Sequence, residues 1–157
     1  MTRRALVVGA ALAIACGSPW PASYEPIQPV SRPVDAVSLE IDPTPPYIVG
    51  PDQIQEILRA LDPGLARYGV SVVPAGTANA PRLVGQVEFY DPGVDPEPGR
   101  WPHAGTFRAR WRLLDAGGVV LGECKTEAKS GVTTLGPSWA EAMEDSGFRL
   151  GEFVRGR

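Results

Sequence analysis

The sequence is poor in the residues from which most catalytic and metal sites are built. It contains one histidine, His103, and two cysteines, Cys16 and Cys124. A Ser-His-Asp or Cys-His arrangement therefore has no choice of base, and one histidine with one interior cysteine cannot form a zinc cluster. The acids near His103 match no calcium-loop spacing. We therefore expect a protein that is not an enzyme and that binds no metal and no cofactor.

The chain also lacks an excess of positive charge and a long apolar run. Fifteen Lys and Arg face eighteen Asp and Glu, and the net charge is −3, so a nucleic-acid partner gains no support. The uncharged run at residues 5–15 spans roughly 16 Å as a helix. A bilayer core requires roughly 20 residues, so this run is too short to be a good membrane span.

The first residues are typical of an export signal. Arg3 and Arg4 precede the apolar run at residues 5–15, and small residues end it. A buried core helix is the alternative, but a proline-rich stretch follows the run instead of a folded element. We therefore predict a signal peptide at residues 1–15 that is removed from the mature protein.

The residues LAIAC at 12–16 resemble the lipobox of bacterial lipoproteins. The resemblance implies that Cys16 becomes the new N-terminus, with diacylglycerol on its thiol and an acyl chain on its amine. Gly17 follows where an Asp would retain the protein at the inner membrane, which implies the periplasmic face of the outer membrane. The match departs from the family at Ala13, where Leu is commonest. Ordinary cleavage after Ala15 is the alternative, giving a soluble periplasmic or secreted protein.

Beyond the signal we predict a lipidated N-terminus and proline-rich tether at 16–33 and one domain at 34–157. Prolines at five positions of the tether break any helix and favour extended chain. Cys124 has no partner within the chain if Cys16 is lipidated; otherwise the two cysteines could form a disulfide in an oxidising compartment.

The domain shows a strand pattern at residues 37–41, 70–73 and 83–89, where apolar residues recur at alternate positions or form a short run. A helix begins at Pro51 and Asp52 and has apolar residues at helical spacing up to Tyr68. Pro63 lies inside this pattern and predicts a kink, or a break with a second short segment. Gly69 is expected to end the helix in the left-handed conformation.

A hairpin follows, with Phe107 to Leu113 on one strand and Val120 to Ala128 on the other. With Gly117 and Gly118 as a two-residue loop, Trp111 lies opposite Cys124. In the same register Arg112 faces Glu123, Arg108 faces Glu127 and Arg110 faces Lys125.

The last helix starts at Ser138, and Glu141 completes a capping box. Together the elements predict an α+β fold, with a mostly antiparallel sheet of about five strands and two helices packed on one face.

Two groups of side chains are candidate contacts for a partner. One is the row of arginines on the outer face of the hairpin, and the other lies in the long loop at 91–105. The alternatives are a solvated face paired with Glu and a solvated loop tip. The candidate residues are Arg100, Trp101, His103, Arg108, Arg110 and Arg112.

The element order and export signal resemble small envelope lipoproteins of the lipopolysaccharide-assembly and transport-auxiliary kind. The resemblance implies a non-catalytic, lipid-anchored accessory protein that binds an envelope protein or lipid, and it carries no functional residues over. Two alternatives stay open: a secreted interaction or inhibitor module that presents the 91–105 loop, and an envelope hydrolase. A hydrolase requires a base and a nucleophile held together, and the sequence contains few residues that could supply them.

Overall fold

The computed structural model describes residues 22–93, 103–132 and 136–157. The fold is α+β, with two helices and a six-stranded mixed sheet in the order β1-β6-β5-β4-β2-β3. The elements are β1 (Ala22–Gln28), β2 (Ala36–Asp42), α1 (Pro51–Arg67), β3 (Ser71–Val73), β4 (Arg82–Asp91), β5 (Thr106–Leu114), β6 (Val120–Lys129) and α2 (Trp139–Val154).

The sheet combines two kinds of strand pairing. The pairs β1–β6, β6–β5 and β5–β4 are antiparallel, whereas β2 is parallel to both β4 and β3. The helix α1 connects β2 to β3, and such a crossover returns the chain to a parallel strand. The predicted α+β class is therefore confirmed, and the sheet has one strand more, and more parallel pairing, than expected.

The additional strand comes from the predicted tether. Residues 22–28 form β1 at the edge of the sheet, where Ala22 lies opposite Ala128 and Tyr24 opposite Thr126. The backbone of Ser31 then donates to the carbonyl of Leu121. The prediction of a tether reaching residue 33 is wrong, because an edge strand tolerates proline where a central strand does not. The domain thus begins at or before Ala22.

The predicted hairpin register is confirmed along most of its length, although the turn differs. Trp111 lies opposite Cys124 and Arg112 opposite Glu123, as expected. The turn runs from Asp115 to Val119 and has three central residues rather than two, with Gly118 at φ +84°. Leu114 pairs with Val120, whereas Leu113 pairs with Gly122. This one-residue shift in β6 restores the predicted register beyond the turn.

The helix α1 is continuous through Pro63 rather than broken into two segments. Leu61 and Leu65, on either side of the proline, are fully buried. Burial of these side chains favours helix on both sides, although Pro63 donates no backbone hydrogen bond. The predicted start at Pro51 and the left-handed Gly69 are both confirmed.

The two helices cross at unusually close range, and glycines make this crossing possible. A Cβ on Gly64 would lie 1.8 Å from the carbonyl oxygen of Glu144, and one on Gly147 would lie 2.0 Å from that of Leu61. Gly151 similarly accommodates the side chain of Tyr68. From the sequence, Gly147 only weakens a helix; in the fold it lets α2 approach α1.

The core lies between the helices and one face of the sheet. Trp111 is fully buried at its centre, and its indole N–H donates to Thr126 Oγ1 at 2.9 Å. The ring covers Gly85, where a Cβ would lie 2.4 Å from the indole. Among the described residues, no helix is both long and apolar enough to cross a bilayer.

We predict that Gly147→Ala lowers the free energy of unfolding by about 2 kcal/mol or more, because the added methyl overlaps the backbone of α1. Helix propensity alone predicts the opposite sign, a gain of about 1 kcal/mol. Urea denaturation measures the difference, with Gln55→Ala on the exposed face of α1 as the matched control. A more stable Gly147→Ala protein would contradict the close crossing.

We also predict that a chain beginning at Val34 is at least about 3 kcal/mol less stable than one beginning at Ala22, since it lacks β1. Its loss exposes β6 and removes Tyr24 from its position against Phe153, where the ring centroids are 6.3 Å apart. Thermal and urea unfolding of the two chains provide the comparison. Equal stabilities would show that residues 22–33 do not stabilise the domain and would contradict the assignment of β1 to it.

Candidate functional site

The face of the sheet that points away from the helices, called the outer sheet face below, carries most of the charged candidates. Its strands together present both cationic and acidic side chains. The cationic residues are Arg82, Arg108, Arg110, Arg112, Lys125 and Lys129, and the acidic residues are Glu25, Glu40, Asp42, Glu88, Glu123 and Glu127. The two signs are balanced, so the face is zwitterionic rather than basic.

Each arginine of the predicted row meets a different kind of neighbour. Arg110 forms an ion pair with Glu123, which lies diagonally from it rather than directly opposite. The guanidinium of Arg108 lies 5.3 Å from the centre of the Phe89 ring, within cation–π range. The positive charge of Arg112 helps to lower the pKa of Asp42, after the hydrogen bonds that Thr44 donates.

The acids also relieve the one unfavourable pair in the hairpin. Arg110 faces Lys125, as the register predicts, but Nζ of Lys125 lies 3.0 Å from Oε1 of Glu88 on β4. On the same face, between β4 and β2, Arg82 donates to both carboxylate oxygens of Glu40. These hydrogen bonds lower the pKa of Glu40. The arrangement favours water-exposed pairs, which individually contribute about 0–1 kcal/mol.

Among the described residues, the outer sheet face carries several open depressions, of which two lie beside the arginines of β5. One, of 310 Å³, crosses β1, β6, β5 and β4 and is lined in part by Glu88, Arg108 and Lys125. The other, of 400 Å³, lies between Gln86, Arg110, Arg112 and Glu123. Both are lined largely by charged and polar side chains, so they suit a polar partner rather than an apolar ligand.

The long loop at 91–105 is held together at its base. Asp91 Oδ2 lies 2.9 Å from His103 Nε2, and its Oδ1 accepts the backbone N–H of Gly93. The Gly93 bond, followed by that to His103, lowers the pKa of Asp91. A Cβ on Gly93 would lie 2.7 Å from the backbone nitrogen of Gly105, so the two ends of the loop nearly touch. Arg100 and Trp101 lie outside the described residues.

The structure describes four of the six predicted contact residues, and they lie on two different elements. His103 lies at the loop base, whereas Arg108, Arg110 and Arg112 follow one another on β5, on the outer sheet face. Within the described ranges no three His, Cys, Asp or Glu side chains cluster in a way that could hold a metal.

Two polar groups next to the core carry shifted pKa values. Burial raises the pKa of the Cys124 thiol, which keeps it in its unreactive protonated form. Burial, with the neighbouring carboxylate of Glu56, raises the pKa of Tyr90, whose hydroxyl has no partner of standard hydrogen-bond geometry among the described residues.

A further buried carboxylate, missed from the sequence, holds the start of β1. Asp145 on α2 is 4% exposed, and its Oδ2 accepts the backbone N–H of Ala22 at 3.1 Å. Its Oδ1 is buried without a partner in the described part of the chain. Burial raises the pKa of Asp145, although the hydrogen bond from Ala22 and then the charges of Arg149 and Arg67 oppose this. The sequence pattern of an amphipathic helix does not indicate that an acidic residue at this position is buried.

Comparison with known proteins identifies a similar fold. No protein-family model matches the chain, and no curated protein matches it significantly. The PelC dodecamer from Paraburkholderia phytofirmans has 16% sequence identity and a TM-score of 0.54, with 87% of this chain and 99% of that chain covered. A point variant of that PelC in a second crystal form gives 14% identity, a TM-score of 0.53 and coverage of 87% and 98%. At such identities the likeness concerns the fold.

We predict that Asp145→Asn removes a pH dependence from folding stability. Because burial raises the pKa of Asp145 in the folded state, the folded protein binds this proton more tightly than the unfolded chain. The contribution of Asp145 is therefore most favourable below its unfolded pKa, near 4, and is lost as the pH rises through the folded value. The asparagine retains an oxygen that can accept from Ala22.

Urea denaturation of both proteins between pH 3 and pH 7 provides the test. The stability of the wild type relative to Asp145→Asn should decline as the pH rises. Asp62→Asn, on the exposed side of α1, is the matched control for the same change of side chain at an exposed position. Parallel pH profiles for wild type and Asp145→Asn would show that this carboxyl is not perturbed by burial.

Proposed function

We propose that this protein is a non-catalytic, lipid-anchored accessory protein of the bacterial envelope that assembles with copies of itself. The observation that carries the proposal is the fold, which matches almost the full length of a chain that forms a dodecamer. The signal-like residues 1–15 and the lipobox-like residues before Cys16 support export and anchoring.

The anchor in this proposal is Cys16. A diacylglycerol on its thiol and an acyl chain on its amine would hold the protein firmly, since each buried methylene contributes about 0.8 kcal/mol. The absence of Asp at position 17 favours the periplasmic face of the outer membrane. The thiol of Cys124 is not available for acylation, because this residue is fully buried in the sheet.

The surface of the domain suits polar contacts between folded proteins. The outer sheet face presents paired charges and shallow polar depressions. The edge strands are poor templates for strand addition, because β1 contains Pro26 and Glu25 and β3 has only three residues. Self-assembly in this proposal therefore uses side-chain surfaces rather than an extended sheet.

Mass spectrometry of the mature protein from bacterial envelopes tests the anchor. We expect a triacylated N-terminus at Cys16 and loss of both acylation and membrane attachment in Cys16→Ala, because the thiol is the acceptor. Cys124→Ala, the matched control, should retain both. Cleavage after Ala15 without acylation would favour the soluble periplasmic alternative, and an unprocessed chain in the cytosol would contradict export altogether.

Native mass spectrometry of the detergent-extracted protein tests self-assembly. The expected result is a homo-oligomer of defined size that persists in Cys16→Ala, since its contacts lie between folded domains. A monomer at micromolar concentration would contradict this part of the proposal and leave the anchoring part standing.

A further inference from the structure

We propose that one end of the domain, called the near end below, faces the lipid surface at close range. At the near end β1 begins at Ala22, β6 ends at Lys129, β5 begins at Thr106 and β4 ends at Asp91. The opposite end, called the far end, carries the β5–β6 turn. This inference rests on the lipidation of Cys16 proposed above and adds the orientation of the domain.

The length of chain between the anchor and the fold limits their separation. Six residue steps join Cys16 to Ala22. A fully extended chain covers at most about 3.6 Å per residue, so the separation is at most about 22 Å whatever the conformation of the intervening residues. A tether reaching residue 33 would have allowed roughly 60 Å by the same measure. The structure thus replaces a long tether by a short link.

The point at which this link joins the domain is well held. Ala22 is 7% exposed and pairs with Ala128 in the ladder between β1 and β6. Its backbone N–H donates to the buried carboxylate of Asp145 on α2. Because both a strand and a helix hold this residue, the link cannot lengthen by peeling β1 from the sheet without losing these contacts.

The far end lies well away from this point. The nine residues of β5 run from Thr106 at the near end to Leu114 next to the turn, which is about 27 Å at about 3.4 Å per residue. The turn itself spans Asp115 to Val119 and exposes Ala116. A label on Lys129 and a label on Ala116 therefore report on opposite ends of one sheet.

The net charge of the domain does not attract it to the surface of an anionic membrane. The full chain carries −3, and removal of Arg3 and Arg4 with the signal makes the mature chain more acidic. The exposed charged groups at the near end include Lys129 on β6 and Glu141 in the first turn of α2, so both signs are present. Repulsion from anionic lipids favours the pose with least surface near the membrane, which leaves the short link to set the orientation.

Energy transfer to the membrane provides the test. The mature lipoprotein, carrying Lys129→Cys or Ala116→Cys labelled with a donor dye, is reconstituted in vesicles of phosphatidylethanolamine and phosphatidylglycerol that contain an acceptor-labelled lipid. Mass spectrometry first verifies acylation of each sample. We expect transfer from position 129 to be at least twofold more efficient than from position 116, and equally so in 1 M salt, where charge attraction is screened.

Two controls make the result specific. The wild type should take up no dye, because Cys124 is buried and Cys16 carries lipid. Inserting fifteen Gly and Ser residues after Ser18 should reduce the difference between the two positions, since the link no longer restricts the domain.

Equal transfer from both positions in the acylated protein with its natural link would overturn the orientation while leaving lipidation intact. Stronger transfer from position 116 would also overturn it, and would indicate docking through the exposed Val119 and Val120 of the turn. An unacylated N-terminus would instead remove the anchor, and with it both the proposed function and this inference.

Discussion

The close crossing of α1 and α2 is the contact on which the rest of the fold depends. Gly64 and Gly147 remove the side chains that would separate the two backbones, so both helices fit over one face of a single sheet. That face can then be largely apolar, and Trp111 is fully buried there with its indole N–H bonded to Thr126. Larger residues at the crossing would push one helix away and open the core, at a cost comparable to overpacking elsewhere.

Because the helices cover only one face, the other must be compatible with water. The outer sheet face meets this demand with ion pairs that cross strands, including Arg110 with Glu123 and Lys125 with Glu88. The same pairs decide what the face can bind. A row of arginines on one strand suggests an anion site, but the face carries as many acids as cationic residues, which is why we propose a polar protein surface as its partner.

In the proposed lipid-anchored protein, the position of β1 determines how closely the fold follows the anchor. A proline-rich segment completes the sheet as an edge strand, and the buried carboxylate of Asp145 holds its first residue. Burying a carboxyl with one unpartnered oxygen has a cost in stability. Its effect is to hold the chain in the fold from Ala22 onwards, six residues after Cys16, and under the proposed lipidation of Cys16 this short link restricts the orientation of the domain.

The sequence by itself determined the elements whose pattern is local: the α1 stripe, the capping box at Ser138, and the hairpin register that places Trp111 opposite Cys124. Periodicity and caps act within a few residues, so they are readable in one chain. Only the tertiary structure decided that β1 joins the sheet, that Gly147 is a contact and that Asp145 is buried, since each depends on residues more than 75 positions away. Likewise, the contacts of Arg108 with Phe89 and of Lys125 with Glu88 became clear only once β4 lay beside β5, because no local pattern encodes which strands become neighbours.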